Sequence, residues 1–121
     1  MKRMTYWMLA MLMTGAVAMA DEAEVVEFRI PAGTGKKAWN TRETMVEVKV
    51  GQILRIINDD TTKHRLHTNG GKPCEHGPAD VKKGQHYDCV VKKTADPDVE
   101  DEFCYEHNVG PSARFYVRAT N

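Results

Sequence analysis

The sequence predicts an all-β sandwich. Met45 to Val50 alternates cleanly, with Val46, Val48 and Val50 on one face. Further short runs rich in branched and aromatic residues are separated by clusters of Gly, Pro, Asn and Asp, the pattern of strands joined by turns. No window of ten or more residues carries a convincing helical period.

The first twenty residues read as a secretory signal rather than as part of the fold. Lys2 and Arg3 precede an apolar stretch from Tyr6 to Val17, and Ala18-Met19-Ala20 supplies a small-x-small exit before Asp21-Glu22. The stretch is shorter than the ~20 apolar residues that span a bilayer. Cleavage leaves one domain, residues 21–121, in the periplasm. It also removes Lys2 and Arg3, leaving 15 basic against 17 acidic side chains. A net charge of −2 gives no reason to expect nucleic acid or a membrane surface as partner.

Within the domain, Glu24 to Ile30 opens as a strand that Pro31 closes. Gly33 to Thr44 reads as a long loop. Gly51 ends the alternating run, and Ile53 to Ile57 follows as a short apolar strand stopped by Asn58-Asp59-Asp60. Thr68 to Gly84 is a second long loop. Tyr87 to Val91 and Phe115 to Val117 supply further strands, and the acidic segment Asp96 to Glu102 reads as a turn. Nothing repeats. A sandwich that hangs long loops from one end is a good scaffold for a site.

The domain has three cysteines, Cys74, Cys89 and Cys104. In an oxidising compartment cysteines pair, and an odd count leaves one thiol to explain. Cys104-Tyr105-Glu106-His107 places a thiol three residues before an imidazole, with turn-forming Asn108, Gly110 and Pro111 just after. A tight turn lets both reach one metal. His64, from a distant strand, completes a His₂Cys set, the ligand field of type 1 copper. Metal ligation also keeps a thiolate unpaired.

Here the chain resembles a known family. Val50-Gly51 through Asn58-Asp59 to His64, then Gly84-Gln85-His86-Tyr87, then Phe103-Cys104-Tyr105-Glu106-His107 and Phe115-Tyr116-Val117 resemble the small periplasmic cupredoxins, the plastocyanin-like copper proteins. The resemblance covers roughly residues 44–119. It implies a Greek-key β-sandwich of cupredoxin type, one type 1-like copper ion, and His64, Cys104 and His107 as its ligands. It also implies one-electron transfer by a monomer to a redox partner protein such as a cytochrome, and no enzymatic activity. Members of this spacing place a methionine after the second histidine, whereas Asn108 to Arg114 contains none. Ser112 stands at the expected position. The axial position is left to Ser112, Met45, His76, a backbone carbonyl such as that of Lys63, water, or nothing, and it tunes the redox potential. A second departure is Arg65, where the family often has Asn.

The remaining residues have plainer readings. Cys74 and Cys89 are expected to form a disulfide that pins the second loop to the following strand. A second copper thiolate from one of them, or a Cys74–Cys104 pairing, stays open. His67 lies an odd number of residues from His64, so on a shared strand the two face opposite sides. His76, in Pro73-Cys74-Glu75-His76-Gly77-Pro78, reads as a surface-loop residue that could approach the copper from the side, and His86 as solvent-facing. The acidic run from Asp96 to Glu106 reads as a solvated loop, with docking of a basic redox partner as the sharper alternative. The missing methionine and the extra histidines motivate a second function, copper tolerance or trafficking.

Overall fold

In the computed structural model, which describes residues 22–100 and 102–121, the β-prone runs form eight strands and no helix. The signal expected over 1–20 lies outside the described residues. Strand β1 is Val25–Ile30, β2 Val46–Lys49, β3 Ile53–Asn58, β4 Leu66–His67, β5 His86–Val90, β6 Cys104–Glu106, β7 Gly110–Phe115 and β8 Val117–Thr120.

They pair in three small sheets ordered β1-β3-β5, β2-β8 and β4-β6-β7. Strand β1 runs parallel to β3, with Val25 opposite Ile53 and Ile30 opposite Asn58. Strand β5 runs antiparallel to β3, which sets Cys89 opposite Leu54. Strand β2 pairs parallel with β8, and β6 lies antiparallel between β4 and β7. Pro111 sits in β7, an edge strand of its sheet, the kind of strand that tolerates a residue without an N–H.

Period-2 alternation decides which side chains enter the core. Leu54, Ile56 and Asn58 of β3 are buried, while Ile53, Arg55 and Ile57 are only partly so. Leu54 and Ile56 meet Ile30, Val48, Cys89, Phe115, Val117 and Ala119 in one cluster. Two differences from the expected strands are informative. The alternating run stops at Lys49, because Val50 enters the turn at Gly51 and is 38% exposed. The 33–44 segment is also more than a loop. It delivers Trp39 to the core, 2% exposed, with its ring centroid 5.1 Å from that of Phe115.

Cys74 and Cys89 are disulfide-bonded, with their Cα atoms 5.5 Å apart. The bond ties the second long loop to β5 and leaves Cys104 as a buried free thiol. Closing a loop of this span contributes about 3 kcal/mol in the chain-entropy account.

Candidate metal centre

The register of β4 against β6 organises the site. Leu66 lies opposite Glu106 and His67 opposite Tyr105. The backbone N–H of His107 donates to the carbonyl of Arg65 at 2.8 Å, extending the same pairing. Alternate side chains therefore go to opposite sides. Inward, His64, Leu66, Cys104 and Glu106 are all buried. Outward, Arg65, His67 and Tyr105 are half-buried and His107 is exposed.

The inner side holds an ionic triad. His64 Nε2 lies 2.9 Å from Asp60 Oδ2, and its Nδ1 hydrogen-bonds Glu106 Oε1. All three side chains are at most 3% exposed. Two carboxylates facing one imidazole are satisfied together when both ring nitrogens donate, which makes His64 an imidazolium. Burial works against that charge, but the hydrogen bonds from Glu106 and Asp60 outweigh it and hold the His64 pKa above its ordinary value. For Asp60, burial raises the pKa. The His64 bond and the N–H groups of Gly35, Gly33 and Thr61 overcome it and set the carboxyl well below the usual range. The second oxygen of Glu106 accepts from Arg65 N at 2.8 Å and from Asn108 N at 3.3 Å. The triad thus ties the 33–35 loop, the turn after β3 and the chain on both sides of His107 to one buried point.

The outer side holds three imidazoles. One ring nitrogen from each of His67, His76 and His107 falls within a group whose members lie no more than 4.8 Å apart, the separation at which three donors can share one ion. The ring of His67 stacks on Tyr105 at 4.1 Å and 20°, and meets His76 edge-on at 4.7 Å. His76 in turn meets His107 edge-on at 4.9 Å.

His76 arrives from the loop rather than from a strand, and several contacts fold that loop back. Gly77 N donates to Leu66 O at 2.9 Å, Thr68 Oγ1 to Cys74 O at 2.9 Å, and Tyr87 Oη to Glu75 O at 2.8 Å. A Cβ on Gly77 would stand 3.1 Å from Leu66 O and 3.2 Å from Leu66 N, so any larger residue makes the backbone there give by a few tenths of an ångström. Burial, helped by the nearby His67, His107 and Arg65, lowers the pKa of His76 and favours the neutral form that a metal needs.

Of the three ligands expected from the sequence, His107 is in this group, while His64 and Cys104 have other surroundings. Both His64 ring nitrogens are engaged by carboxylates. The Cys104 thiol is 0% exposed, its polar contact is Lys72 O at 3.8 Å, and burial pushes its pKa up to about 12. The expectation rested on a tight turn between Cys104 and His107. In the structure Cys104–Glu106 is strand, and the turn begins only at His107.

His67, read as lying on the far side from His64, and His76, read as a surface-loop residue that could approach the copper from the side, supply the other two imidazoles. The odd offset between His64 and His67 was the available signal, since it already put them on opposite sides. The His86 side chain is 48% exposed. Much of the acidic segment is paired within the chain. Arg118 meets Asp96 and Asp98, Arg42 meets Asp98, and Lys72 meets Glu102.

No protein-family model matches the chain, and no curated protein matches it. Solved structures of amicyanin do. A Cu(I) form of a methionine-to-alanine variant is 25% identical over 86% of this chain and 88% of the other, with a TM-score of 0.53. An oxidised proline-to-alanine variant and a Cu(I) methionine-to-glutamine variant also match, each at 25% identity and a TM-score of 0.53. The chain is thus an all-β sandwich with a cupredoxin-like fold.

Proposed function

We propose that this chain is an exported copper-binding protein whose ion is held by His67, His76 and His107, and that it serves copper tolerance or trafficking. The observation that carries the reading is the convergence of three imidazoles on an accessible face. The donor set fits the metal. Imidazole nitrogens suit copper, which among the divalent first-row ions is bound most tightly by such donors. The likeness to copper-loaded amicyanin structures adds support. Bound copper would supply a Lewis-acidic, redox-active centre. The chain's own residues then do the rest. β4 and the turn after β6 present His67 and His107 side by side, the disulfide-anchored loop brings His76, and the partial exposure of the group leaves ions a way in and out.

One-electron transfer to a partner such as a cytochrome is the second reading, favoured by the fold likeness to amicyanin. It requires a different ligand set, His64, Cys104 and His107, and hence a copper-bound thiolate. Copper-loaded protein separates the two. Three imidazoles give a Cu(II) paramagnetic resonance spectrum with nitrogen couplings and only weak visible absorption. Binding then survives Cys104→Ala and is lost in His67→Ala and His76→Ala. An intense thiolate-to-copper absorption that disappears in Cys104→Ala would overturn the three-histidine reading in favour of the second.

A further inference from the structure

We infer that Asn69 is a positioning residue of the three-histidine centre, fixing the proton of His67 on Nε2 so that Nδ1 is the atom offered to the metal. The inference rests on the reading that His67, His76 and His107 bind an ion. His67 Nε2 lies 3.0 Å from Asn69 Oδ1. An amide oxygen only accepts, so the nitrogen facing it carries the proton and the lone pair is left on Nδ1. Histidines that hold metals commonly donate their other N–H to an oxygen in this way, which sets the ring orientation and makes the ligating nitrogen more basic.

Asn69 is well placed to do this. It stands at one side of a two-residue turn through Gly70 and Gly71, whose φ angles are 63° and 71°. Two successive positive φ values are what a tight hairpin turn demands, and glycine adopts them without strain. Lys72 N closes the turn on Asn69 O at 3.2 Å, and Cys74, two residues further on, is held by the disulfide to Cys89. The oxygen of Asn69 is therefore presented from a closed, anchored turn. The opposite constraint comes from Tyr105, stacked on the His67 ring at 4.1 Å. Tyr105 fixes the ring plane, and Asn69 fixes which nitrogen is protonated within it. His76 has a different partner. Its Nδ1 faces the N–H of Thr68 at 3.4 Å, a contact with no acceptor oxygen in it.

The test combines a metal-free readout with a metal-binding one. Long-range nitrogen–proton spectra of metal-free protein at about pH 8 should show His67 as the Nε2–H form. In Asn69→Ala that preference should relax toward a mixture, and the affinity for Cu(II) and for Zn(II) should fall about 10–100-fold, with stoichiometry and melting behaviour kept. Asn69→Asp, which restores an acceptor, should recover both. An Nδ1–H form in the wild type, or wild-type affinity in Asn69→Ala, overturns the role of Asn69 alone. If the wild type shows the Nε2–H form yet binds neither Cu(II) nor Zn(II), the copper reading falls and the role of Asn69 toward a metal falls with it.

Discussion

Replacing His64 by alanine removes the one cation that Asp60 and Glu106 share. The two carboxylates keep their backbone donors, Gly33, Gly35 and Thr61 for Asp60, Arg65 and Asn108 for Glu106. They remain buried, however, at 3% and 2% exposure, with their counter-charge gone. Removing one member of such a buried arrangement costs about 3–5 kcal/mol, against a total stability of ~5–15 kcal/mol for an ordinary domain. The pH dependence gives the cost a signature. The His64 pKa is raised in the fold, so its stabilisation is complete below the ordinary imidazole value of ~6.5 and is lost as pH rises through the higher folded value. The Asp60 pKa is lowered, so its stabilisation is complete above the ordinary carboxylate value of ~3.9 and is lost as pH falls through the lower folded value.

Urea unfolding of chelator-treated protein measures this directly. At about pH 6 the wild type should exceed His64→Ala by the full amount, and the gap should narrow as pH rises. A loss below about 1 kcal/mol, or a gap that does not change with pH, would refute the buried imidazolium. Variant that is still folded should take up copper like the wild type, since His64 is not among the three converging imidazoles.

Three further outcomes follow from the packing. Cys104 is fully buried and its thiol pKa is pushed up to about 12. It should therefore be inert to thiol reagents in native protein at neutral pH and react stoichiometrically once unfolded; fast native reaction would show that it is accessible. Gly77→Ala sets a methyl group against the backbone of Leu66 and should cost roughly 1–3 kcal/mol, with weaker copper binding because His76 shifts; a neutral urea midpoint would refute the close approach. Replacing Cys74 and Cys89 by serine should destabilise the fold by about 3 kcal/mol and lower copper affinity by freeing the loop that carries His76. Isothermal titration checks the affinity, and unchanged binding would mean that the disulfide does not position that loop.

Local patterns carried much of the architecture. Alternation at Val46 and Val48, the short run at Ile53–Ile57 and the turn residues around them identify strands because side-chain direction along a strand depends only on the count of residues. The same count separated His64 from His67. Whether residues 104–106 extend or turn is settled by their pairing with Leu66 and His67, some forty residues away, and by β7 on the other side. Nothing local states that pairing.

The convergence of His67, His76 and His107 is likewise a tertiary result. It depends on the register of β4 against β6 and on a loop folded back by Gly77 and Cys74–Cys89, each a contact between distant segments. Local pattern was enough for an all-β chain, its main strands, and which neighbouring histidines face apart. Which histidines meet depends on long-range contacts, because a strand's parity is local while the register between strands is not.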